Sequence, residues 1–332
     1  LSNLTELHEF FSLNKISFWD AFQKTFFKLL QNKFSEIISE IEILKKLFSK
    51  HKFLCALVRT ETAIHDLIIM KLAKRQNIPI ILLQHGLTPL NKNILEIQKF
   101  YRCLPVYSSK FLVWGNTDSK SCMENGFPNS KIEVLGAPFY DKIFHNKIPS
   151  YTESDNFILF ATDFKSLHTI ESITVESMKK YEEIINSVYD IVTKRNKKLV
   201  IRPHPQKDIG EKQIAKELDP KLKVATGGSI LPLIKSSSLV VVTDASSVMV
   251  EAMALNKPVI SLRVDPDYDD EFCNPNACLR TDIKDFENNL SKILENDQFR
   301  NLLLKRQKIF LDENVANQGS ASINLIKFLD NL

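Results

Sequence analysis

Glycine is scarce in this chain. Eight glycines in 332 residues leave no GxGxxG and no GxxxxGK[ST] run, which removes the common dinucleotide-binding and P-loop readings. No apolar run approaches the ~18 residues of a membrane span. Cysteine is sparse: Cys55, Cys103, Cys122, Cys273 and Cys278 are scattered and odd in number. They form no CxxC pair, and no histidine spacing completes a zinc set. The expectation is reduced thiols in a cytoplasmic protein. An excess of one charge is lacking too. A net charge of +4 without clustered Lys/Arg falls short of a nucleic-acid footprint. The first residue is Leu1 rather than Met, so the chain is expected to be a trimmed piece from which targeting information is missing.

What is present begins with size. A chain of 332 residues exceeds the usual single core, so two domains are expected. Residues 3–50 read as helices, with Phe18, Phe22, Phe26 and Leu29, then Phe34, Ile37, Ile38 and Ile41, at helical spacing. The favoured reading is a packed face. Lys24, Lys28 and Lys33 among the phenylalanines keep a basic amphipathic membrane surface as the alternative.

From residue 53 strands and helices alternate. Strands are expected at 53–58, 78–84, 111–115 and 132–136, with a helix over 62–75. Continuous apolar runs separated by helices indicate a parallel sheet covered on both faces. Residues 146–155 are polar and carry a proline, which makes them the linker candidate. The pattern restarts with strands at 157–162, 199–203, 223–226, 239–243 and 258–262, a long helix over 175–195 and a helical stretch from Asp282. The expected fold class is therefore α/β, with two doubly wound, Rossmann-like domains facing a cleft and a helical N-terminal segment. Residues 1–148 would form the N-terminal helices plus an acceptor-side domain, and 149–332 a nucleotide-donor-binding domain.

Ligands of open α/β sheets bind at the carboxyl ends of strands. Arg202, His204 and Pro205 follow one strand there. Asp244, Ser246 and Ser247 follow another and open a helix, whose free N–H groups suit an anion. Together they read as a diphosphate cradle, with capping as the plain alternative for Asp244 and Ser246. The two prolines flanking His204 hold it rigidly. Glu251 lies one turn beyond Ser247 on the same face and suits ribose hydroxyls. In the first half, Gln84, His85 and Gly86 follow a strand. His85 has the chemistry of a general base, and Gly86 permits a sharp turn and close approach of substrate. Asp163 is the second candidate base. His168, Glu61 and His65 are weaker candidates.

The blocks HGLTPLNK (85–92), VLGAPFYDKI (134–143), VIRPHP (200–205) and VVTDASSVMVEAMALNKPVIS (241–261) resemble the CDP-glycerol glycerophosphotransferases of teichoic-acid synthesis. They are also similar to related capsule and surface-carbohydrate transferases of GT-B architecture. The resemblance covers about 180 residues. It implies His85 as base, His204 at the donor phosphates, and Ser246 and Ser247 holding them. Gln84 stands where those glycerophosphotransferases usually have Trp, and the block around Glu251 looks more like sugar transferases and sugar-nucleotide epimerases.

The expectation is inverting, metal-independent transfer of a glycosyl or glycerophosphate group from a CMP- or CDP-type donor. The acceptor would be a hydroxyl of a glycan or lipid-linked bacterial surface polysaccharide. Asp265 and Asp267 come closest to a metal motif but lie in a loop. No cofactor and no nucleic-acid partner are expected. Location would be cytoplasmic, with peripheral association at the inner face of the plasma membrane left open. An epimerase of the same fold and a non-catalytic glycan- or nucleotide-binding module are the alternatives.

Overall fold

The computed structural model describes residues 4–86, 105–149, 151, 156–163, 175–204, 210–244, 246–264 and 277–332. The chain divides into two compact units. One comprises Leu1–Ala56 with Ala63–Ile80, the other Leu57–Thr62 with Ile81–Leu332.

In the first unit, helix α1 (Leu4–Phe10) leads into a hairpin of β1 (Ser12–Leu13) and β2 (Ile16–Ser17). Asn14 and Lys15 turn it with positive φ, the conformation a two-residue hairpin loop requires. The sequence reading missed this hairpin. Helix α2 (Trp19–Lys50) then runs unbroken for 32 residues, since no glycine or proline interrupts it. Its first turn is anchored by Trp19, 1% exposed, which stacks on Phe11 at 5.3 Å and meets Phe26 and Phe27 edge-on. The expected packed stripe is only partly realised: Phe34 and Ile38 are each 59% exposed. Helix α3 (Ile64–Arg75) follows.

The first sheet has strands β3 (Ala56–Val58), β4 (Ile80–Leu83), β5 (Lys110–Val113) and β6 (Ile132–Val134), in the order β3-β4-β5-β6. The pairings β4–β5 and β5–β6 are parallel. Helix α4 (Asn116–Glu124) follows β5, and a 3₁₀ turn (Pro138–Tyr140) leads to the short α5 (Asp141–Phe144).

The second sheet has β7 (Phe157–Thr162), β8 (Lys198–Pro203), β9 (Lys223–Val224), β10 (Ser237–Thr243), β11 (Val259–Leu262) and β12 (Leu279–Thr281). Its order is β12-β11-β10-β7-β8-β9, and every pairing is parallel. Chain order reverses between β7 and β10, which makes that junction the topological switch point. Strand β12 was not anticipated.

Helices α6 (Val175–Lys194), α7 (Glu211–Leu218), α8 (Leu231–Ser236), α9 (Val248–Ala254), α10 (Ile283–Glu295), α11 (Asp297–Asn314) and α12 (Ala321–Asp330) complete the chain. Alternate residues of β7 enter opposite cores. Ile158 and Phe160 pack with Ile185 of α6 and Phe286 of α10; Leu159 and Ala161 pack with Ile234 of α8 and Met249 of α9. Both faces are covered, which is why the strands read as unbroken apolar runs.

After α11 the chain returns to the first sheet. Ala316 N–H donates to the Trp114 carbonyl at 2.8 Å, and Asn317 Nδ2 to the Leu135 carbonyl at 3.0 Å. The Asp141 carboxylate accepts from the N–H groups of Ala321 and Ser322, capping α12. A Cβ at Gly115 or Gly136 would meet a backbone oxygen of this returning segment at 2.3 Å. Among the described residues no helix is long and apolar enough to cross a membrane. Cys278 is disulfide-bonded while Cys55 and Cys122 are free thiols. The expectation of reduced cysteines therefore fails at Cys278, because pairing depends on approach in the fold, which sequence spacing does not report.

Candidate active site

The site is built from strand ends. At the switch point the Thr243 hydroxyl donates to the Asp163 carbonyl at 2.9 Å and accepts from Asp163 N–H at 2.7 Å. This ties the carboxyl ends of β7 and β10. Asp163 itself is half-buried. Asp244 follows with φ +47, a left-handed turn that Asp tolerates. Its side chain does not reach outward: Oδ1 accepts from Val264 N–H at 2.9 Å, and its carbonyl accepts from the Ser261 hydroxyl. Asp244 is 3% exposed and fixes the β10 and β11 ends.

Arg202 was expected at the donor phosphates. Its guanidinium is buried and donates to the carbonyls of Ala225, Gly227 and Gly228 at 3.1, 2.5 and 2.7 Å. Desolvation lowers its pKa below the usual arginine range. Gly227 and Gly228 both have positive φ, so consecutive left-handed residues aim their carbonyls at the cation. Arg202 shapes the 225–228 loop beside the strand ends. His204, the next-but-one residue, is half-buried at the end of β8. Pro205, His168, Asp265 and Asp267 lie outside the described residues.

Ser246 and Ser247 precede α9. The Ser246 Oγ accepts from Val248 N–H at 3.3 Å, a turn-type contact. Ser247 occupies the N-cap position without a side-chain capping bond; its hydroxyl instead shares a hydrogen bond with the Tyr140 phenol. Glu251, one turn on, is partly accessible. Burial lifts its carboxyl to about 7, opposed by the charge of Lys142. The face of α9 that packs inward is centred on Met249, Val250, Ala252 and Met253. Tyr140 is buried, and its pKa is raised well above the usual phenol value by desolvation and by the Glu251 charge.

Tyr140 carries the arrangement to the first sheet. It meets Trp114 edge-on at 5.3 Å. Trp114 is wholly buried and is gripped by Gln84: its N–H donates to Gln84 Oε1 at 2.7 Å and its indole Nε1 to the Gln84 carbonyl at 3.0 Å. Gln84 Nε2 donates to the Gly86 carbonyl at 3.0 Å. Gln84 also bonds Asp118, whose carboxyl burial lifts to about 7 against the pull of that bond and one to the Gly115 backbone. Burial, reinforced by the Asp118 charge, pushes the Cys122 thiol up to about 12. Gln84 was assigned to the acceptor side; its side chain points inward and locks the turn that presents His85, which is exposed. The space where a Gly86 Cβ would stand is open, and its φ is not left-handed, so no sharp turn accounts for that glycine.

Two weak candidates are structural. Glu61 lies before α3, not on it, and is 1% exposed. Its carboxylate accepts from the N–H groups of Val106, Tyr107 and Ser108 and from the Ser108 hydroxyl. His65 pairs with Glu40 of α2. Sequence reasoning missed Trp114, Asp118 and Tyr140. The available signal was a Trp directly after an apolar strand and a Tyr inside the 134–143 block.

A switch point on a doubly wound parallel sheet, with a second parallel sheet before it in the chain, defines a Rossmann-like α/β fold of GT-B type. The family comparison narrows this. The chain belongs to the LIC12162 family of transferases, whose family model matches residues 3–274. No curated protein matches it. Among solved structures it is similar to S. aureus MnaA in complex with UDP, with a TM-score of 0.64, 17% identity, and coverage of 90% of this chain and 82% of that one. The Neisseria meningitidis UDP-GlcNAc 2-epimerase bound to UDP-GlcNAc gives a TM-score of 0.63 and 16% identity, over 89% and 81% of the two chains. A putative UDP-N-acetylglucosamine 2-epimerase of Listeria monocytogenes gives 0.62 and 15%, over 87% and 76%. At such identity the likeness is one of fold.

Proposed function

We propose that this chain transfers a glycosyl group, or glycerophosphate, from a pyrimidine-nucleotide donor to a hydroxyl of a bacterial surface glycan or lipid-linked acceptor, with inversion. His85 accepts the proton of the acceptor hydroxyl as that oxygen attacks the donor carbon, or phosphorus for glycerophosphate. The bond to the nucleotide phosphate breaks, and its electron pair leaves with the nucleotide. His204 and Ser246 meet the leaving charge, on strand ends that Arg202 and Asp244 hold in place. Glu251 faces the ribose hydroxyls. Asp163 is the base if His85 is not.

The observation that carries this reading is the unbroken series Gln84–Trp114–Tyr140–Ser247–Glu251. It ties the turn bearing His85 to the helix bearing Glu251 and so supports a reading in which base and nucleotide site keep one register. The family's transferase name supports group transfer. The resemblance of the motifs favours CMP or CDP, while the UDP in the S. aureus structure keeps uridine in play. A thermal-shift screen across CMP, CDP, UDP and GDP is expected to single out one pyrimidine nucleotide. Catalysis is proposed to need no divalent ion. Activity should survive saturating EDTA, and loss of activity that magnesium or manganese restores would overturn that point and turn attention to Asp265 and Asp267.

One observation favours a second reading. Burial lifts the partly accessible Glu251 carboxyl to about 7, suited to moving a proton near neutrality, as an epimerase must. Incubation with a nucleotide sugar and no acceptor separates the two: an altered sugar still attached or released without acceptor supports epimerisation.

A further inference from the structure

A cavity lies at the end of the second sheet opposite the strand ends of the candidate site. It has a volume of about 420 Å³ and wraps the amino ends of β7, β8 and β9, within the size range of small-molecule sites. Lys198 pairs with Phe157 at the start of β7, and Lys223 pairs with Val200, two residues on from Lys198. Side chains two apart on a strand share a face, so Lys198, Val200 and Lys223 present one surface. The walls add Lys197, Lys221, Tyr151 and Tyr189. Five residue steps along β8 separate Lys198 from Pro203, roughly 17 Å at strand rise. The cavity is therefore separate from the strand ends that carry His204 and Ser246.

Among the described residues, four lysines and one carboxylate, Asp219, line it. That carboxylate accepts from Lys221 N–H at 2.8 Å and from the Tyr189 hydroxyl at 2.9 Å. Those bonds hold it below the usual carboxylate range. Asp190 lies within electrostatic reach of Tyr189 on the same side. Lys197 Nζ donates to Asn156 Oδ1 at 3.4 Å, and the Lys223 ammonium sits 4.6 Å from the centroid of the Tyr151 ring. Lysine ammonium groups are point charges with rotatable donors, suited to phosphate or carboxylate without a fixed fork geometry. Base binding uses an open aromatic platform, and Lys223 already covers the Tyr151 face. A ring rich in hydroxyls and carrying an anionic group fits these walls better.

We propose that this lysine-lined cavity between Tyr151 and Tyr189 binds an anionic saccharide, a sugar ring bearing phosphate or carboxylate. The site stands apart from the transfer reading, and either can fail without the other.

Calorimetry on the full chain tests it with glucose 6-phosphate, glucuronate, inorganic phosphate and glucose, each with and without saturating UDP. Glucose 6-phosphate or glucuronate should bind at millimolar concentration or below, and which of the two does so names the anionic group. Glucose should give no heat. Saturating UDP should leave the sugar affinity unchanged, while added salt should weaken it. Lys221→Ala, at an exposed position, and Lys223→Ala should each lower affinity about tenfold, the effect of losing one hydrogen bond to a charged group, with UDP affinity unchanged. Absence of binding by both anionic sugars overturns the proposal. So does competition by UDP, which would place the sugar at the opposite strand ends. Inorganic phosphate binding as tightly as the sugar phosphate overturns the saccharide assignment and leaves an unspecific anion patch.

Discussion

The strand ends of the two sheets solve the same problem, one with a neutral group and the other with a charged one. On the first sheet a neutral amide, Gln84, sits buried between Trp114, Gly86 and Asp118, and the carboxyl it touches is lifted to about 7. On the second a permanent cation, Arg202, is buried against three loop carbonyls. Each lock leaves one histidine beside it, His85 exposed and His204 half-buried. Buried polar groups are nearly always hydrogen-bonded, so the locks are the rigid parts, and the histidines beside them are the more accessible residues. Under the proposed transfer, the neutral lock would suit a residue that takes up a proton, and the cationic lock a site that meets phosphate charge.

The largest effect should come from the histidine beside the neutral lock. His85→Ala is expected to lower turnover by roughly 10²–10⁴, the usual share of general-base catalysis, while nucleotide affinity measured by calorimetry stays put. If the variant loses nucleotide binding and keeps normal turnover at saturating donor, the two histidines have been assigned to the wrong roles, and Asp163 becomes the base to test.

The neutral lock itself should show in stability against pH. The folded-state pKa of Asp118 is raised from 3.8 to about 7, so the folded chain holds this proton more tightly than the unfolded one. Its contribution is most favourable below the unfolded pKa and is lost as pH rises through about 7. Asp118→Asn keeps a neutral group there. Relative to wild type, the variant should therefore gain stability between pH 4 and 8, by roughly 2–4 kcal/mol at a shift of this size, read from urea midpoints. A difference that stays flat across that range would mean the carboxyl is not held neutral.

How much of this the sequence displayed depends on the distance between partners. The run Phe157–Thr162 is a strand over the residues its composition suggested, because burial on both faces leaves a local apolar signature. His85, His204 and Ser246 were located by standing just past such runs. The locks carry no such signature. Arg202 finds carbonyls 23 to 26 residues away, and Glu61 holds N–H groups 45 to 47 residues away. Hydrogen bonds of that kind have no period, so their donors and acceptors read as ordinary exposed or helical charges. The two-residue strands of the hairpin at 12–17 are too short for alternation to show. Phe34 and Ile38 illustrate the converse, since helical spacing of apolar residues announces a face without saying whether anything covers it.

Beside the cationic lock the effect should be on binding. His204→Ala is expected to weaken nucleoside-diphosphate affinity by about 1.5–3 kcal/mol, the range for a hydrogen bond to a charged group, and Ser246→Ala by less. Calorimetry reads both. Unchanged affinity in the pair would detach the β8 and β10 ends from the donor phosphates, and the comparison between the two sheets would lose its second half.

The smallest expected change tests the link between the halves. Tyr140 touches Trp114 with its ring and Ser247 with its hydroxyl, beside Glu251. Tyr140→Phe keeps the ring contact and deletes the hydroxyl, leaving Ser247 to rebond. The cost in stability should be about 1 kcal/mol, as for one neutral hydrogen bond, and urea midpoints should show it. Function is the sharper readout. If the hydroxyl positions Ser247 and Glu251 for the nucleotide, KM for the donor rises while kcat at saturation is kept, since His85 and its Gln84 lock are untouched. A fall in kcat with KM unchanged would place the Tyr140 hydroxyl at the reacting atoms, and the division of labour between the two sheets would have to be redrawn around it.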